Sequence, residues 1–190
     1  ATGIADLLVA AGMEEGLGGE EACRGLWFVD VKGLLVKSRK DLMEHNLPYA
    51  HDQRQLGFLD AIETIKPHLL IGATGAPGTF TREVIERMSA INERPAIFAL
   101  SNPTARAECT AEQAYTWSGG KALFVSGSPF GRVTVNGREF RPGQGNNAYV
   151  FPGIGLGALA CRARIIPDEL FLAAARTLAG LVRDQDLAQG

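Results

Sequence analysis

The sequence has few cysteines, no long apolar run and no large excess of charge of either sign. Its cysteines, Cys23, Cys109 and Cys161, show no CxxC spacing, which argues against a disulfide framework or a zinc site. No apolar stretch approaches the ~18 residues that span a bilayer, and no basic segment typical of a secretory signal opens the chain. The net charge of −2, with Lys and Arg scattered, argues against a nucleic-acid surface. We therefore expect a cytoplasmic protein without nucleic-acid or membrane partners.

The length and composition favour a single domain. With 190 residues and 46% hydrophobic content, the chain can bury a full core but is short for two domains. We predict one domain over residues 1–190. Helical periodicity begins at once, over residues 3–11, without a preceding strand. We therefore expect the first strand and Gly-rich turn of a dinucleotide fold to be missing and the domain to be truncated at its N-terminus.

Strand-like apolar runs alternate with segments of helical periodicity. The predicted strands are residues 26–31, 69–72, 96–100 and 122–126. The predicted helices after residues 3–11 are 58–66, 81–91, 110–115 and 167–187. Apolar strands that lack period-two alternation, each followed by a helix, indicate a mostly parallel sheet covered on both faces. The fold class is therefore α/β, a Rossmann-like three-layer αβα arrangement. An Asn-Gly pair within residues 133–140 predicts one surface hairpin.

Unusual residues follow four of the predicted strands. They are Asp30 and the segments 72–75, 101–103 and 126–129. Ligands of open parallel sheets bind beyond the carboxyl ends of the strands. Because parallel strands point the same way, we expect these loops to line one edge of the sheet and to form a site there.

Each of these features also has a purely structural interpretation. Asp30 is placed to hold an adenosine ribose, or simply begins a turn. The Gly-rich loop 72–78 either lets the backbone approach a ligand or makes a tight turn. Asn102 either contacts a ligand or forms an Asx-turn. For the adjacent Asn146 and Asn147, ligand contact is the favoured interpretation.

Other polar residues are assigned no catalytic role. His45, His51 and His68 lack the spacing of metal ligands. Glu108 and Glu112 lie near the predicted helix 110–115, where carboxylates favour the positive end of the helix dipole. We expect both to serve that helix terminus rather than to act as an acid–base pair.

Several blocks of the sequence are long and specific. They are Val29-Asp30-x-Lys32-Gly33-Leu34, Ser101-Asn102-Pro103-Thr104, Ala107-Glu108-Cys109-Thr110, Ser126-Gly127-Ser128-Pro129-Phe130 and Pro142-Gly143-Gln144-Gly145-Asn146-Asn147. Together these blocks resemble the malic enzymes, in the NAD(P)-binding domain of their larger, eukaryotic-type branch. The similarity extends from Ala1 to about Ala179.

The resemblance implies an oxidative decarboxylase. Such an enzyme converts L-malate and NAD(P)+ to pyruvate, CO2 and NAD(P)H, with Mg2+ or Mn2+, as a homodimer or tetramer. The cofactor-binding residues it implies are Asp30, Val31, Gly72, Ala73, Thr74, Gly75, Ser101 and Asn102. The substrate-binding residues it implies are Asn102, Asn146 and Asn147, some of which could equally contact the nicotinamide ribose.

Two sets of residues that malic enzymes need for catalysis are missing from the sequence, and this qualifies the expectation. The Lys and Tyr that act as base and acid, and the acidic metal ligands, precede the dinucleotide domain in malic enzymes and are not found here. We therefore assign no catalytic residue and no metal ligand, and predict that the chain alone does not decarboxylate malate.

Val31 and the segment 46–48 favour NAD as the cofactor, although the cations Lys32, Lys37 and Arg39 keep NADP open.

Two other functions remain possible at this point. A non-catalytic nucleotide-binding module that regulates a partner would explain the missing catalytic half. Another Rossmann dehydrogenase, such as an amino-acid dehydrogenase, is a further alternative. The Ser-Asn-Pro-Thr block at 101–104 and the Gln-Gly-Asn-Asn block at 144–147 together argue against that second alternative.

Overall fold

The structure is a computed structural model and describes residues 2–187. These residues form two compact units. One unit comprises residues 2–64 and 163–173, and the other comprises residues 65–162 and 174–187. The single domain expected over residues 1–190 stays a prediction. The Gly-rich turn expected at or before Ala1 lies outside the described residues.

The elements follow one another in a mostly alternating order. The helices of the described residues are α1 (Thr2–Glu14), α2 (Gly19–Arg24), α3 (Phe58–Ile65), α4 (Arg82–Ile91), α5 (Ala111–Trp117), α6 (Phe151–Ala160), α7 (Asp168–Ala179) and α8 (Asp184–Leu187). Short 3-10 helices cover Glu44–Tyr49, Thr104–Arg106 and Asn147–Tyr149. The strands are β1 (Val29–Asp30), β2 (Gly33–Leu34), β3 (Leu69–Gly72), β4 (Ala96–Ala99), β5 (Leu123–Ser126), β6 (Val133–Val135), β7 (Arg138–Phe140) and β8 (Gly143–Gln144). None of the described helices is long and apolar enough to cross a membrane.

A parallel sheet forms the centre of the second unit. Its strand order is β3-β4-β5-β8, and every pairing in it is parallel. The helices α4 and α5 connect β3 to β4 and β4 to β5, and they pack against each other. Two successive right-handed crossovers in one direction place their helices on the same face of a sheet. This arrangement confirms the Rossmann-like α/β fold with a mostly parallel sheet.

Local sequence explains where α4 and α5 begin. The Thr81 hydroxyl caps α4 by accepting the Val84 N–H at 3.4 Å. Thr110 and Gln113 form the capping box at the start of α5. The Gln113 N–H donates to the Thr110 hydroxyl at 3.1 Å, and the Thr110 N–H donates to the side-chain oxygen Oε1 of Gln113 at 2.9 Å. Each pairing satisfies backbone donors that have no partner inside the helix.

Aromatic side chains close the core on the α5 side of the sheet. Tyr115 of α5 stacks on Phe140 with ring centroids 4.5 Å apart and meets Phe124 of β5 edge-on at 6.0 Å. All three residues are buried. Phe140 belongs to β7, so this packing also fixes the hairpin of β6 and β7. Asn136 and Gly137 form its turn with φ of 52° and 78°, as the Asn-Gly signature predicts.

The structure corrects the strand predicted over residues 26–31. Only its residues Val29–Asp30 are extended, and they pair with β2 in an antiparallel ribbon rather than in the parallel sheet. Gly33 has a φ of 105°, which lets the chain reverse directly after Asp30. The Lys32 N–H donates to Asp30 Oδ1 at 2.8 Å, so Asp30 makes the turn that the structural interpretation anticipated.

Two segments near the C-terminal end also differ from the prediction. No helix is predicted for the apolar stretch after Asn147, but residues Phe151–Ala160 form α6. Pro152 in its first turn suits a helix start, while the glycines at 153, 155 and 157 conceal the helical pattern. The helix predicted over 167–187 is instead split into α7 and α8 after Gly180, because glycine is a poor helix former.

Candidate functional site

The carboxyl edge of the parallel sheet brings together loops that are far apart in sequence. We call residues 72–75, 101–102, 127–129 and 145–147 the carboxyl-edge loops. Backbone hydrogen bonds continue from the strands into these loops: Leu100 N–H to Gly72 C=O at 2.9 Å, Gly127 N–H to Ala99 C=O at 3.0 Å, and Gly145 N–H to Ser126 C=O at 2.9 Å. The loops therefore start at the same level along one edge, as the sequence predicts for this part of the site.

Glu108 lies beneath two of these loops and is completely buried. Its Oε1 accepts hydrogen bonds at 2.9 Å from both the N–H and the hydroxyl of Thr74. The Ser101 N–H donates to Oε2 at 3.3 Å, and the Ser101 hydroxyl donates to Oε1 in a short hydrogen bond. That hydroxyl also accepts the Gly75 N–H at 2.8 Å. One carboxylate thus ties the loop after β3 to the loop after β4.

These hydrogen bonds keep the Glu108 carboxyl ionised. Burial by itself raises the pKa of Glu108, but the donors from Ser101 and Thr74 together outweigh it and bring the pKa below its ordinary value. A buried carboxylate is costly unless donors satisfy its oxygens. The four donors supply that compensation, so the anion is part of the folded structure.

The role of Glu108 differs from the one expected from the sequence. It precedes the N-cap Thr110 by two residues and does not serve the α5 terminus, whereas Glu112 does lie in the first turn of that helix. The sequence contains one signal for this role of Glu108, a single carboxylate between the small residues Ala107 and Cys109. Both of these neighbours are buried in the structure. A charged residue in such a buried run needs specific partners.

Gly72 allows Glu108 to reach this position. A Cβ on Gly72 would lie 2.6 Å from the Cγ and Cδ atoms of Glu108 and 2.8 Å from the ring of Phe80. These distances are too short for real contacts, so no larger residue fits without displacing a neighbour. In the structure Gly72 accommodates a protein side chain. Its contact with a cofactor stays a prediction.

The other cofactor-binding residues predicted in this unit divide into two kinds. The backbone N–H groups of Thr74 and Ser101 point to Glu108, and that of Gly75 points to Ser101. Ala73, Thr74, Gly75 and Asn102 are exposed, while Ser101 is buried. Ser101 therefore supports the loops from beneath, and the exposed residues form their outer surface. Ligand contact by any of them stays a prediction.

Asn102 is oriented by the neighbouring loop after β5. The Ser128 hydroxyl donates to Asn102 Oδ1 at 2.5 Å, which directs the two amide hydrogens of Asn102 elsewhere. A Cβ on Gly127 would lie 2.9 Å from the Asn102 amide and even closer to the Leu100 carbonyl, so the two loops meet without room for a side chain. The Asx-turn considered from the sequence is replaced by this contact between loops.

Asn146 and Asn147 lie along the same edge, directly after β8. A Cβ built on Gly145, the residue before them, would lie 3.2 Å from the side chain of Leu100. Leu100 directly precedes Ser101 in the loop after β4. Both asparagines are exposed. Asn146 Oδ1 accepts the Ala148 N–H at 2.9 Å and caps the 3-10 helix Asn147–Tyr149. Asn146 therefore has a structural role that the sequence did not suggest, while the edge still carries three exposed carboxamides.

The first unit contains a cluster of charges around Asp30. The guanidinium of Arg39 donates to both oxygens of Asp30, at 2.9 and 2.6 Å, and to both oxygens of Asp41, at 3.0 and 3.1 Å. The Lys32 ammonium donates to Asp41 at 2.6 Å. Hydrogen bonds from Arg39 hold the pKa of Asp30 and that of Asp41 below their ordinary values, and they raise the pKa of Arg39. Val31 is fully exposed beside the cluster.

Metal-ligating side chains are not clustered in the described part of the chain, and the buried Cys109 thiol is unreactive. Residues 2–187 contain no group of three or more His, Cys, Asp or Glu side chains that could hold a metal ion. Burial raises the pKa of Cys109 to about 12, which keeps its thiol protonated and unreactive.

The lowered pKa of Glu108 predicts a pH-dependent contribution to stability. A carboxyl whose pKa is lower in the folded state stabilises the fold above its unfolded pKa of about 4.3, and this contribution disappears as the pH falls through the folded pKa. We expect Glu108→Gln to lower the free energy of unfolding at pH 7 by roughly 1–3 kcal/mol, because the Ser101 N–H loses its acceptor. The difference from the parent protein should shrink progressively below pH 4.3.

Chemical unfolding over a series of pH values measures this difference. The matched control is Glu112→Gln, which removes an exposed carboxylate four residues along the chain, in the first turn of α5. We expect that control to change stability by less than about 0.5 kcal/mol at every pH. A constant gap between Glu108→Gln and the parent protein from neutral to acidic pH would contradict the ionised state of Glu108.

Comparison with known proteins shows the family to which this chain is similar. A family model described as malic enzyme, NAD binding domain, matches residues 1–190. The chain is 50% identical over 192 residues to the chloroplastic NADP-dependent malic enzyme of Flaveria pringlei, covering 100% of the chain and 30% of that protein. It is 49% identical over 192 residues to the NADP-dependent malic enzyme of Homo sapiens, covering 100% of the chain and 34% of that protein. The chain thus spans about a third of the length of these relatives.

These relatives overturn the cytoplasmic location expected from the sequence. The proteins from Flaveria pringlei and Flaveria trinervia are both named as chloroplastic enzymes. The expectation is therefore wrong, because it relied on the lack of a targeting segment within 190 residues that cover only part of such proteins.

The sequence blocks, the fold and the match along the whole chain agree on family membership. This chain belongs to the malic enzymes and corresponds to their NAD-binding domain.

Proposed function

We propose that this chain is the dinucleotide-binding part of a larger oxidative decarboxylase, which converts L-malate and NADP+ to pyruvate, CO2 and NADPH. The observation that carries the proposal is the convergence of the carboxyl-edge loops at one edge of a parallel sheet. Ligands of open α/β sheets bind at this edge. Family membership and the names of the relatives support the same activity.

The residues that we assign to the cofactor site are those expected from the sequence. They are Asp30, Val31, Gly72, Ala73, Thr74, Gly75, Ser101 and Asn102. The exposed outer surface of the loop 73–75 supports close approach of a ligand, since glycine and alanine leave the backbone accessible. Ser101 acts from beneath this surface through its hydrogen bonds to Gly75 and Glu108.

The exposed carboxamides suit a small dicarboxylate. Asn102, Asn146 and Asn147 offer amide hydrogens to an anion without adding positive charge. This property matters beside an oxidised nicotinamide, because that ring is cationic until it accepts the hydride. We assign Asn102 and the pair Asn146–Asn147 to the malate carboxylate or to the nicotinamide ribose, with Ser128 holding Asn102 in place.

We propose NADP+ as the cofactor in place of the NAD+ favoured from the sequence. Relatives that match the whole chain are named NADP-dependent. Lys32 supplies a cation on the same turn as Asp30, where the adenosine ribose is expected. Among the described residues its ammonium bonds the exposed carboxylate of Asp41, and its own side chain is 65% exposed. Such surface ion pairs contribute little, so Lys32 can exchange Asp41 for a 2′-phosphate.

Three aspects of the whole protein stay predictions. The requirement for Mg2+ or Mn2+ is expected of the full-length enzyme, and no step is assigned to a metal among residues 2–187 because they offer no suitable ligand group. Assembly as a homodimer or tetramer is a second expectation. Inactivity of the isolated chain is the third, since no general base or acid is assigned within it.

Turnover assays test the proposed function directly. We expect the full-length protein that carries this chain to reduce NADP+ in the presence of L-malate and Mn2+, with pyruvate and CO2 formed in equal amounts. The isolated 190-residue chain should form no NADPH under the same conditions. NADPH absorbance and pyruvate assay measure both reactions. A full-length protein that binds the nucleotide without turnover would instead favour a regulatory module.

The cofactor preference is tested with Lys32→Ala in the full-length protein. We expect the KM for NADP+ to rise roughly tenfold, because a charge-assisted contact to the 2′-phosphate is lost, while the KM for NAD+ changes by less than about twofold. Lys121→Ala, which removes an exposed lysine near the start of β5, is the control for loss of charge alone. An equal rise for both cofactors, or no rise for NADP+, would contradict the role of Lys32.

A further inference from the structure

We propose that Glu108 is a positioning residue of the cofactor site: its buried carboxylate sets the distance between the loop after β3 and the loop after β4. The proposal rests on the proposed function, because these loops carry most of the residues assigned to the dinucleotide. It concerns a residue that contacts neither cofactor nor substrate and acts through Thr74, Gly75 and Ser101.

The hydrogen bonds of Glu108 are directed entirely toward the two loops. Its carboxylate accepts two donors from Thr74 in the first loop and two from Ser101 in the second. The Ser101 hydroxyl extends the connection to the Gly75 N–H. The carboxylate therefore bridges the loops where their backbones turn outward, and a change in its length or hydrogen-bonding capacity alters their separation.

Glu108 is itself held rigidly at both ends. Its backbone carbonyl accepts the Phe80 N–H at 3.1 Å, and Phe80 is a fully buried residue. The side chain then passes over Gly72, where the backbone leaves no space for a Cβ. A carboxylate fixed at its backbone and confined along its stem transmits a defined geometry to the loops, since well-packed groups do not deform continuously.

A positioning role and a direct electrostatic role predict opposite effects. A buried negative charge beneath the loops would by itself repel a polyanionic dinucleotide. If charge dominated, Glu108→Gln would tighten cofactor binding. If geometry dominates, the same substitution weakens binding, because the new amide group faces the Ser101 N–H donor and the loop shifts away.

The experiment compares Glu108→Gln, Glu108→Ala and the control Glu112→Gln in the full-length protein. For Glu108→Gln we expect the KM for NADP+ to rise ~10-fold, with kcat at saturating NADP+ and the KM for malate within ~3-fold of the parent. Glu108→Ala should raise the KM for NADP+ further, and Glu112→Gln should leave it unchanged. A lowered KM in Glu108→Gln would overturn the proposal. So would an unchanged KM alongside a lowered melting temperature, since that result defines a purely structural role.

Isothermal titration calorimetry with NADP+ separates this proposal from the proposed function. If the full-length parent protein binds NADP+ but does not oxidise malate, the proposed reaction fails, and the dissociation constants still test Glu108. We then expect the dissociation constant of Glu108→Gln to exceed that of the parent protein ~10-fold. Equal dissociation constants for the parent protein and both Glu108 variants would overturn the proposal. Should Glu108→Ala not fold, Glu108→Gln, which preserves the volume of the side chain, carries the test.

Discussion

The buried carboxylate of Glu108 is the interaction on which the candidate site depends. Parallel strands bring their carboxyl ends to one edge of a sheet, but they do not fix how the following loops stand relative to one another. Glu108 supplies that constraint through donors from Thr74 and Ser101. The cost of burying its charge is offset only while those donors are in place. The Glu108 carboxylate is therefore fully hydrogen-bonded only when the two loops have their correct geometry.

This constraint explains why small residues and neutral amides surround the edge. Gly72 makes room for the Glu108 side chain, and Gly127 lets the loop after β5 approach Asn102. Ser128 then orients the Asn102 amide. The positive charge proposed to recognise the cofactor is that of Lys32, which belongs instead to the charged cluster around Asp30 and Arg39.

The sequence predicted those elements whose signals are local. The start of the helix at Thr110 and the turn at Asn136 and Gly137 each depend on signals within a few residues, and the sequence predicts both correctly. The role of Glu108 could not be found this way, because its partners Thr74 and Ser101 lie 34 and 7 residues away. The helix α6 was missed since its glycines oppose the helical pattern. The family resemblance indicated the site, whereas the physical links within it required the structure.

A crystal structure of the full-length protein with bound NADP+ tests the central claim most directly. The account predicts that the dinucleotide lies across the carboxyl edge of β3 and β4, on the outer surface of the loops at 73–75 and 101–102. Glu108 should remain beneath them, bonded to Thr74 and Ser101 and out of contact with the cofactor. A cofactor bound away from this edge, or a Glu108 side chain that leaves both loops when NADP+ binds, would contradict it.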